Sequence, residues 1–345
     1  MTRRLFYTDH HVLPLPPEHR FPIEKYRMLR ELLEEDGFFT LEAAPLADVG
    51  TIALVHETAY VDAFVNGKLS DGAMRRIGFP WSEGLVRRTQ ASVGSTLAAT
   101  REALARGWGG TLAGGTHHAF AAEGSGFCVF NDIAVAARWV QRNGAGLALG
   151  RAPRLRSGQA DEDVCPYMVG DEGANGRLVR VAVIDLDVHQ GDGTADIFRG
   201  DESVLTMSMH CKANFPLRKQ RSSMDVELEA GVGDEEYLRA LETMLPRVWE
   251  FCPEFVFYQA GVDGLASDRL GRLRLSHAGL MARDRMVMSG ARELGAPFVI
   301  TLGGGYSEPI ALTAEAHANT FRVAGEVFGD KAFTAEDAEN GRGVR

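Results

Sequence analysis

The sequence predicts one α/β domain with a mostly parallel central sheet flanked by helices, and with its functional site at the carboxyl ends of the strands. Three observations carry this. The runs Val181 to Leu186, Phe255 to Gln259 and Phe298 to Leu302 are nearly continuous in apolar residues, as strands buried on both faces of a parallel sheet require. Amphipathic or alanine-rich helical stretches separate these runs. Each run empties into a loop rich in glycine and charge, the place where an open parallel sheet presents its ligand site.

Taken in order, Leu5 to Tyr7 reads as a short edge strand, and Pro14, Pro16 and Pro17 hold an extended loop. His10, His11 and His19, without spaced carboxylates or cysteines, are expected as surface residues. Pro22 to Asp36 predicts an amphipathic helix stopped by Gly37, and Thr51 to Val55 a strand. A helix is expected from His56 to Val65. A long one runs from Ser82 to Arg106, closed by Gly107, Gly109 and Gly110. Thr111 to Ala113 is a short apolar step into Gly114-Gly115-Thr116-His117-His118. Asn131 or Asp132 should cap a helix through Arg142. Residues 144–176 lose all periodicity and read as an irregular insertion on the face opposite the site. Beyond the strand opening at Val181, Ser203 to Met209 is a further strand, and Lys212 to Ser223 is a polar loop. Helices are expected over Asp234 to Phe251 and from a Ser276 cap to Gly295. The domain is expected to span residues 1–332, with 333–345 a polar tail.

With 345 residues and 45% hydrophobic content the chain can bury one large core or two small ones, and the even mix of apolar runs and Gly-rich turns argues for one large domain. Its formal net charge of -10 argues against direct nucleic-acid binding, which needs a basic surface. Four scattered cysteines without a C-x-x-C pair predict neither a disulfide framework nor a cysteine zinc site, and a reducing cytoplasm is the expected compartment. No apolar run approaches the length of a membrane span.

The chemistry concentrates in Val181 to Gly193, V-A-V-I-D-L-D-V-H-Q-G-D-G. Side chains alternate in an extended segment, so Asp185, Asp187 and His189 share one side. Two carboxylates and an imidazole at a buried strand end need a cation or a set of hydrogen bonds, and a divalent metal supplies the simplest compensation. Four loops carry special residues: His117 and His118, then Asp185 to Asp192, then Asp263, then Tyr306 after Gly303-Gly304-Gly305. Asp187, His189 and Asp263 would form a three-ligand site with an open position, suited to zinc and also to Fe(II). Asp268 competes with Asp263 for the third place. No phosphate-loop pattern accompanies the triple glycine.

G-G-T-H-H-A, G-F-C-V-F-N-D, D-L-D-V-H-Q-G-D-G, Q-A-G-V-D and L-G-G-G-Y, in this order, resemble the zinc-dependent histone deacetylase superfamily and its arginase-deacetylase fold. H-Q-G and the run D-R-L-G-R-L-R-L-S resemble the class IV branch most, with Gln190 where class I relatives carry a second histidine. The resemblance implies zinc ligands at Asp187, His189 and Asp263, a carbonyl-polarising Tyr306, and a general base at His118 beside an electrostatic His117. Asp185 and Asp192 would orient His117 and His118. A structural potassium ion would sit among Asp185, Asp187, His189, Ser208 and Met209. Gly126, Phe127, Phe215 and Gly304 would line the substrate channel. The implied activity is hydrolysis of acetyl or longer acyl groups from N-acyl-lysine in proteins or peptides. The alternatives are a hydrolase of acetylpolyamines or another small acylamide, and a catalytically silent metal-binding interaction protein.

Overall fold

The computed structural model describes residues 2–143 and 178–329; the expected insertion at 144–176 and the tail at 333–345 lie outside the described residues. The chain runs β1 (Arg3–Tyr7), α1 (Glu24–Asp36), β2 (Phe39–Ala43), α2 (Val49–Ile52), α3 (Thr58–Val65), α4 (Asp71–Ile77), α5 (Glu83–Arg106), β3 (Trp108–Thr111) and α6 (Asp132–Asn143). It continues with β4 (Val181–Asp185), α7 (Asp192–Ile197), β5 (Val204–Cys211), β6 (Met224–Leu228), α8 (Asp234–Glu250) and β7 (Phe255–Gln259). The last elements are α9 (His277–Leu294), β8 (Phe298–Thr301) and α10 (Ala311–Phe328). The eight strands form one sheet in the order β2-β1-β3-β8-β7-β4-β5-β6, and every pairing is parallel.

Alternation along the strands builds two cores. Ala182, Ile184, Val256, Tyr258, Phe298 and Ile300 pack on the side of α1, α8, α9 and α10. Val181, Val183, Phe255, Phe257 and Val299 pack on the side of α3, α5 and α6. The apolar runs seen in the sequence are thus strands covered twice, which is why they do not alternate in polarity. Helix ends follow local chemistry: Ser82 and Ser276 accept from the amides of Leu85 and Gly279, both at 3.0 Å, while Gly37 and Gly295 stop α1 and α9 at φ 70° and 71°.

Three expectations need correction. Thr51 to Val55 is not a strand: Asp48 accepts from the Thr51 amide at 2.8 Å and caps the helical turn α2. Gly107 does close the long helix, but Gly109 and Gly110, expected to close it too, lie in β3, which ends at Thr111, where only a short apolar step was expected. Gly109 lies inside the strand because α5 passes so close that a Cβ there would stand 2.2 Å from the Ala99 carbonyl oxygen. Leu5 to Tyr7, expected at an edge of the sheet, lies in β1, which pairs with β2 on one side and β3 on the other; Cys128 and Cys211 are free and buried. Among the described residues no helix is long and apolar enough to cross a membrane.

Candidate active site

The four loops singled out in the sequence follow β3, β4, β7 and β8, and those strands are the contiguous centre of the sheet, in the order β3-β8-β7-β4. Parallel pairing points their carboxyl ends the same way, so segments distant in sequence converge.

Asp187, His189 and Asp263 meet, with ligand-type atoms all within 4.8 Å of one another. His189 Nδ1 lies 3.0 Å from Asp187 Oδ1 and 3.0 Å from Asp263 Oδ2. Asp187 and Asp263 are almost wholly buried. Burial resists charging of His189, yet its hydrogen bonds to the two carboxylates raise it to about 10. Burial and the neighbouring Asp187 push Asp263 up to about 7. Asp187 stays well below the usual carboxylate range because His117 and His189 outweigh its burial. Two buried carboxylates facing one imidazole nitrogen need positive charge between them, so this donor set fits a divalent ion. The backbone tightens the cluster: the Gly304 amide donates to Asp187 Oδ2 at 2.7 Å and the Val188 amide to Asp263 Oδ1 at 2.8 Å. Asp268, the competing ligand, instead accepts from the amides of Tyr306 at 2.6 Å and of Leu270 and Gly271 at 2.8 Å. It anchors the tyrosine and stays out of the cluster.

The two histidines differ in electrostatics. His117 Nδ1 pairs with Asp185 Oδ2 at 2.7 Å, and although burial opposes its charge, Asp185 and Asp187 raise it to about 9. His118 Nδ1 pairs with Asp192 Oδ1 at 2.6 Å, yet burial and then the adjacent His117 hold it down to about 4. One imidazole therefore favours its cation and its neighbour the neutral form. Their loop is held by Asp132, which accepts from the amides of Gly115 and Thr116 at 3.1 and 2.7 Å, while Asn131 caps α6 at the Ala134 amide.

Above these groups opens a cavity of about 860 Å³ lined by both histidines, the metal-type cluster, Tyr306, Gly126, Phe127, Phe215 and Gly304. Burial pushes the Tyr306 hydroxyl well above the usual phenol range. Phe127 is held at φ 65°, with its ring 6.4 Å from that of Tyr306; the half-exposed Phe215 ring packs edge-on to His118 at 4.9 Å. His19, expected at the surface, is instead half-buried in the cavity wall and stacks on Phe79 at 5.5 Å. Gln190 does not face the cluster: its side chain bonds both backbone groups of Gln220 and Asp225 Oδ1, tying down the loop before β6. Asp185 and Ser208 stand opposite each other in the β4–β5 register, next to Met209 and one loop from Asp187 and His189.

Two of the buried cations, Lys25 and Arg283, bear on the cluster and were missed in the sequence. Lys25 reaches the carbonyls of Gly303 at 3.2 Å and Gly305 at 3.4 Å, under the Tyr306 ring. Arg283 donates to the carbonyls of Leu186 at 3.2 Å and Gly261 at 2.6 Å and pairs with Asp284, linking the loops that carry Asp187 and Asp263. A signal existed: Lys25 shares the buried stripe of Leu29 and Leu33, and Arg283-Asp284 that of Leu280 and Val287.

Residues 19–147 and 170–322 match the histone deacetylase domain family. The chain is 41% identical over 329 residues to an uncharacterized protein of Picosynechococcus sp., covering 93% of this chain and 98% of that one. It is 31% identical over 310 residues to histone deacetylase 2 of Arabidopsis thaliana, covering 85% and 71% of the two. The crystal structure of the HDA15 HD domain shares the fold, with a TM-score of 0.70, 21% identity, and coverage of 98% of this chain and 92% of that chain.

Proposed function

Since the chain belongs to the histone deacetylase family, we propose that it is a metal-dependent amidohydrolase that removes acetyl or longer acyl groups from N-acyl-lysine in proteins or peptides. The observation that carries this reading is the convergence of Asp187, His189 and Asp263 with two oppositely polarised histidines and Tyr306 around one cavity. Asp187, His189 Nδ1 and Asp263 would hold a divalent ion, zinc or Fe(II), which when bound supplies Lewis acidity toward the amide carbonyl and acidifies water.

The remaining work falls to the chain's own groups. Neutral His118 accepts the proton of the attacking water and later returns it to the leaving amine, with Asp192 holding its Nδ1. His117, charged beside Asp185, contributes fixed positive potential. The Tyr306 hydroxyl, kept protonated by burial, donates to the oxyanion that develops from the carbonyl. Phe127 and Phe215 flank the acyl-lysine stem, and Asp185, Asp187, His189, Ser208 and Met209 would cradle a potassium ion that stiffens the loop after β4. The Gln190 motif and the run Asp268 to Ser276 support reading the chain as most like the class IV branch.

Purified protein loaded with zinc, and in parallel with Fe(II), should release acetate or the longer carboxylate from acetyl-lysine and longer acyl-lysine peptides, leaving the free lysine amine in the peptide, and lose this activity on chelation. Turnover of acetylpolyamines alone would replace the proposed substrate class.

A further inference from the structure

The charge around the cavity mouth opposes that of the chain as a whole. The formal net charge is -10, yet the exposed charged side chains lining the opening are Arg20, Arg75, Arg76 and Arg272 against the single acid Glu18. Arg76 is paired with Glu123 at 2.9 Å, both about half exposed. Among the described residues no ion pair involves Arg20, Arg75 or Arg272, and Asn214 meets only the backbone amide of Arg272. Arg75 and Arg76 lie in the last turn of α4, where basic residues also complement the helix dipole. That role does not extend to Arg20, in the loop before α1, or Arg272, in the loop after β7. Guanidinium groups from three separate segments therefore surround one entrance. Deeper in the same cavity Arg88 is buried against the Tyr26 ring at 4.3 Å, and its side chain's polar contact is the Thr8 hydroxyl at 3.5 Å. Salt-screened exposed charges contribute little each, but several of one sign at a concave mouth steer association and set partner choice.

We propose that this rim selects acyl-lysine whose flanking residues are acidic, so that the preferred substrate is an Asp/Glu-rich protein segment and not a Lys/Arg-rich tail or a cationic polyamine. The inference rests on the acyl-lysine hydrolase reading above and adds to it the chemistry beside the scissile group. Carboxylates one to three residues from the acylated lysine would meet Arg20, Arg75 and Arg272 as its stem enters between Phe127 and Phe215. A basic flank would face the same guanidinium groups as like charge.

The test uses three acetyl-lysine peptides of equal length whose flanking positions are Asp/Glu, Ala/Gly or Lys/Arg, with kcat/KM measured on the metal-loaded protein at low and high salt. The acidic peptide should exceed the basic one by about tenfold at low ionic strength, with the ratio shrinking toward one in high salt. Arg75→Glu/Arg272→Glu, both exposed sites, should reverse the order of the acidic and basic peptides. Equal turnover of the three peptides, or preference for the basic one, overturns this inference and leaves the hydrolase reading standing. Absence of turnover on all three by protein with full metal content overturns the hydrolase reading and the inference with it.

Discussion

Gly304→Ala isolates the geometry of the metal-type cluster from its chemistry. Gly304 has no positive φ, so alanine adds no backbone strain, and the substitution acts through one methyl group. That Cβ would stand 1.9 Å from Asp263 Oδ2 and 2.9 Å from Asp187 Oδ2. Relief requires a shift of about 1 Å by Asp263 or by the loop, whereas metal–ligand distances tolerate only about 0.2 Å. The Gly304 amide bond to Asp187 Oδ2, 2.7 Å long, would be strained by the same movement. Perturbing such supporting contacts lowers metal affinity about 10- to 100-fold. Competition for zinc against a chromophoric chelator should show this loss, and kcat/KM at limiting zinc should fall in parallel. Gly233→Ala, where the added Cβ meets nothing nearer than 3.7 Å, should bind zinc as the wild type does. Wild-type zinc affinity in Gly304→Ala would refute the argument that this close approach sets the cluster.

Tyr306→Phe should keep zinc content and fold while kcat on an acetyl-lysine peptide falls about 100-fold, because loss of an oxyanion donor costs about 3 kcal/mol of barrier; wild-type turnover would remove the tyrosine from the mechanism. Arg283→Met leaves buried Asp284 with only Tyr258 and Thr320 as partners and strips donors from the Leu186 and Gly261 carbonyls. A stability loss of about 3 kcal/mol or more is expected in urea unfolding, with weakened zinc binding, and less stability loss in the Arg283→Met/Asp284→Asn double variant. His56 is held down to about 4 by burial, its Nε2 accepting the Asn131 amide at 2.8 Å, so the folded state binds its proton less readily than the unfolded chain does. Its stabilising contribution is present above pH 6.5 and lost as pH falls toward 4, about 2 kcal/mol of it by pH 5. Urea midpoints at pH 8 and pH 5 should differ less in His56→Gln than in wild type, and an equal difference would count against this role.

The fold and the site were legible to different depths. The apolar runs at β4, β7 and β8 announced doubly covered strands, since only residues buried on both faces dispense with polar alternation. The edge strands β2 and β6, F-T-L-E-A and M-D-V-E-L, were passed over because half of each faces outward. Segment 51–55 misled because β-branched residues favour strands, whereas Asp48 at its start captures the Thr51 amide and turns the chain helical.

Within the site, the sequence alone determined which residue types go with which strands: the paired histidines after β3, the alternating Asp185, Asp187 and His189 from the end of β4 onward, Asp263 after β7, and Tyr306 after β8. Period-two alternation is a local property, so it survives in the one-dimensional record. Only the tertiary structure decided that Asp263 and not Asp268 joins His189, that Asp132 holds the histidine loop, and that Lys25 and Arg283 lie beneath the cluster. Each of those outcomes depends on strand order and on helices packed from elsewhere in the chain. Two carboxylates in one loop are equivalent in sequence; they become unlike once one faces an imidazole across the sheet and the other faces three backbone amides.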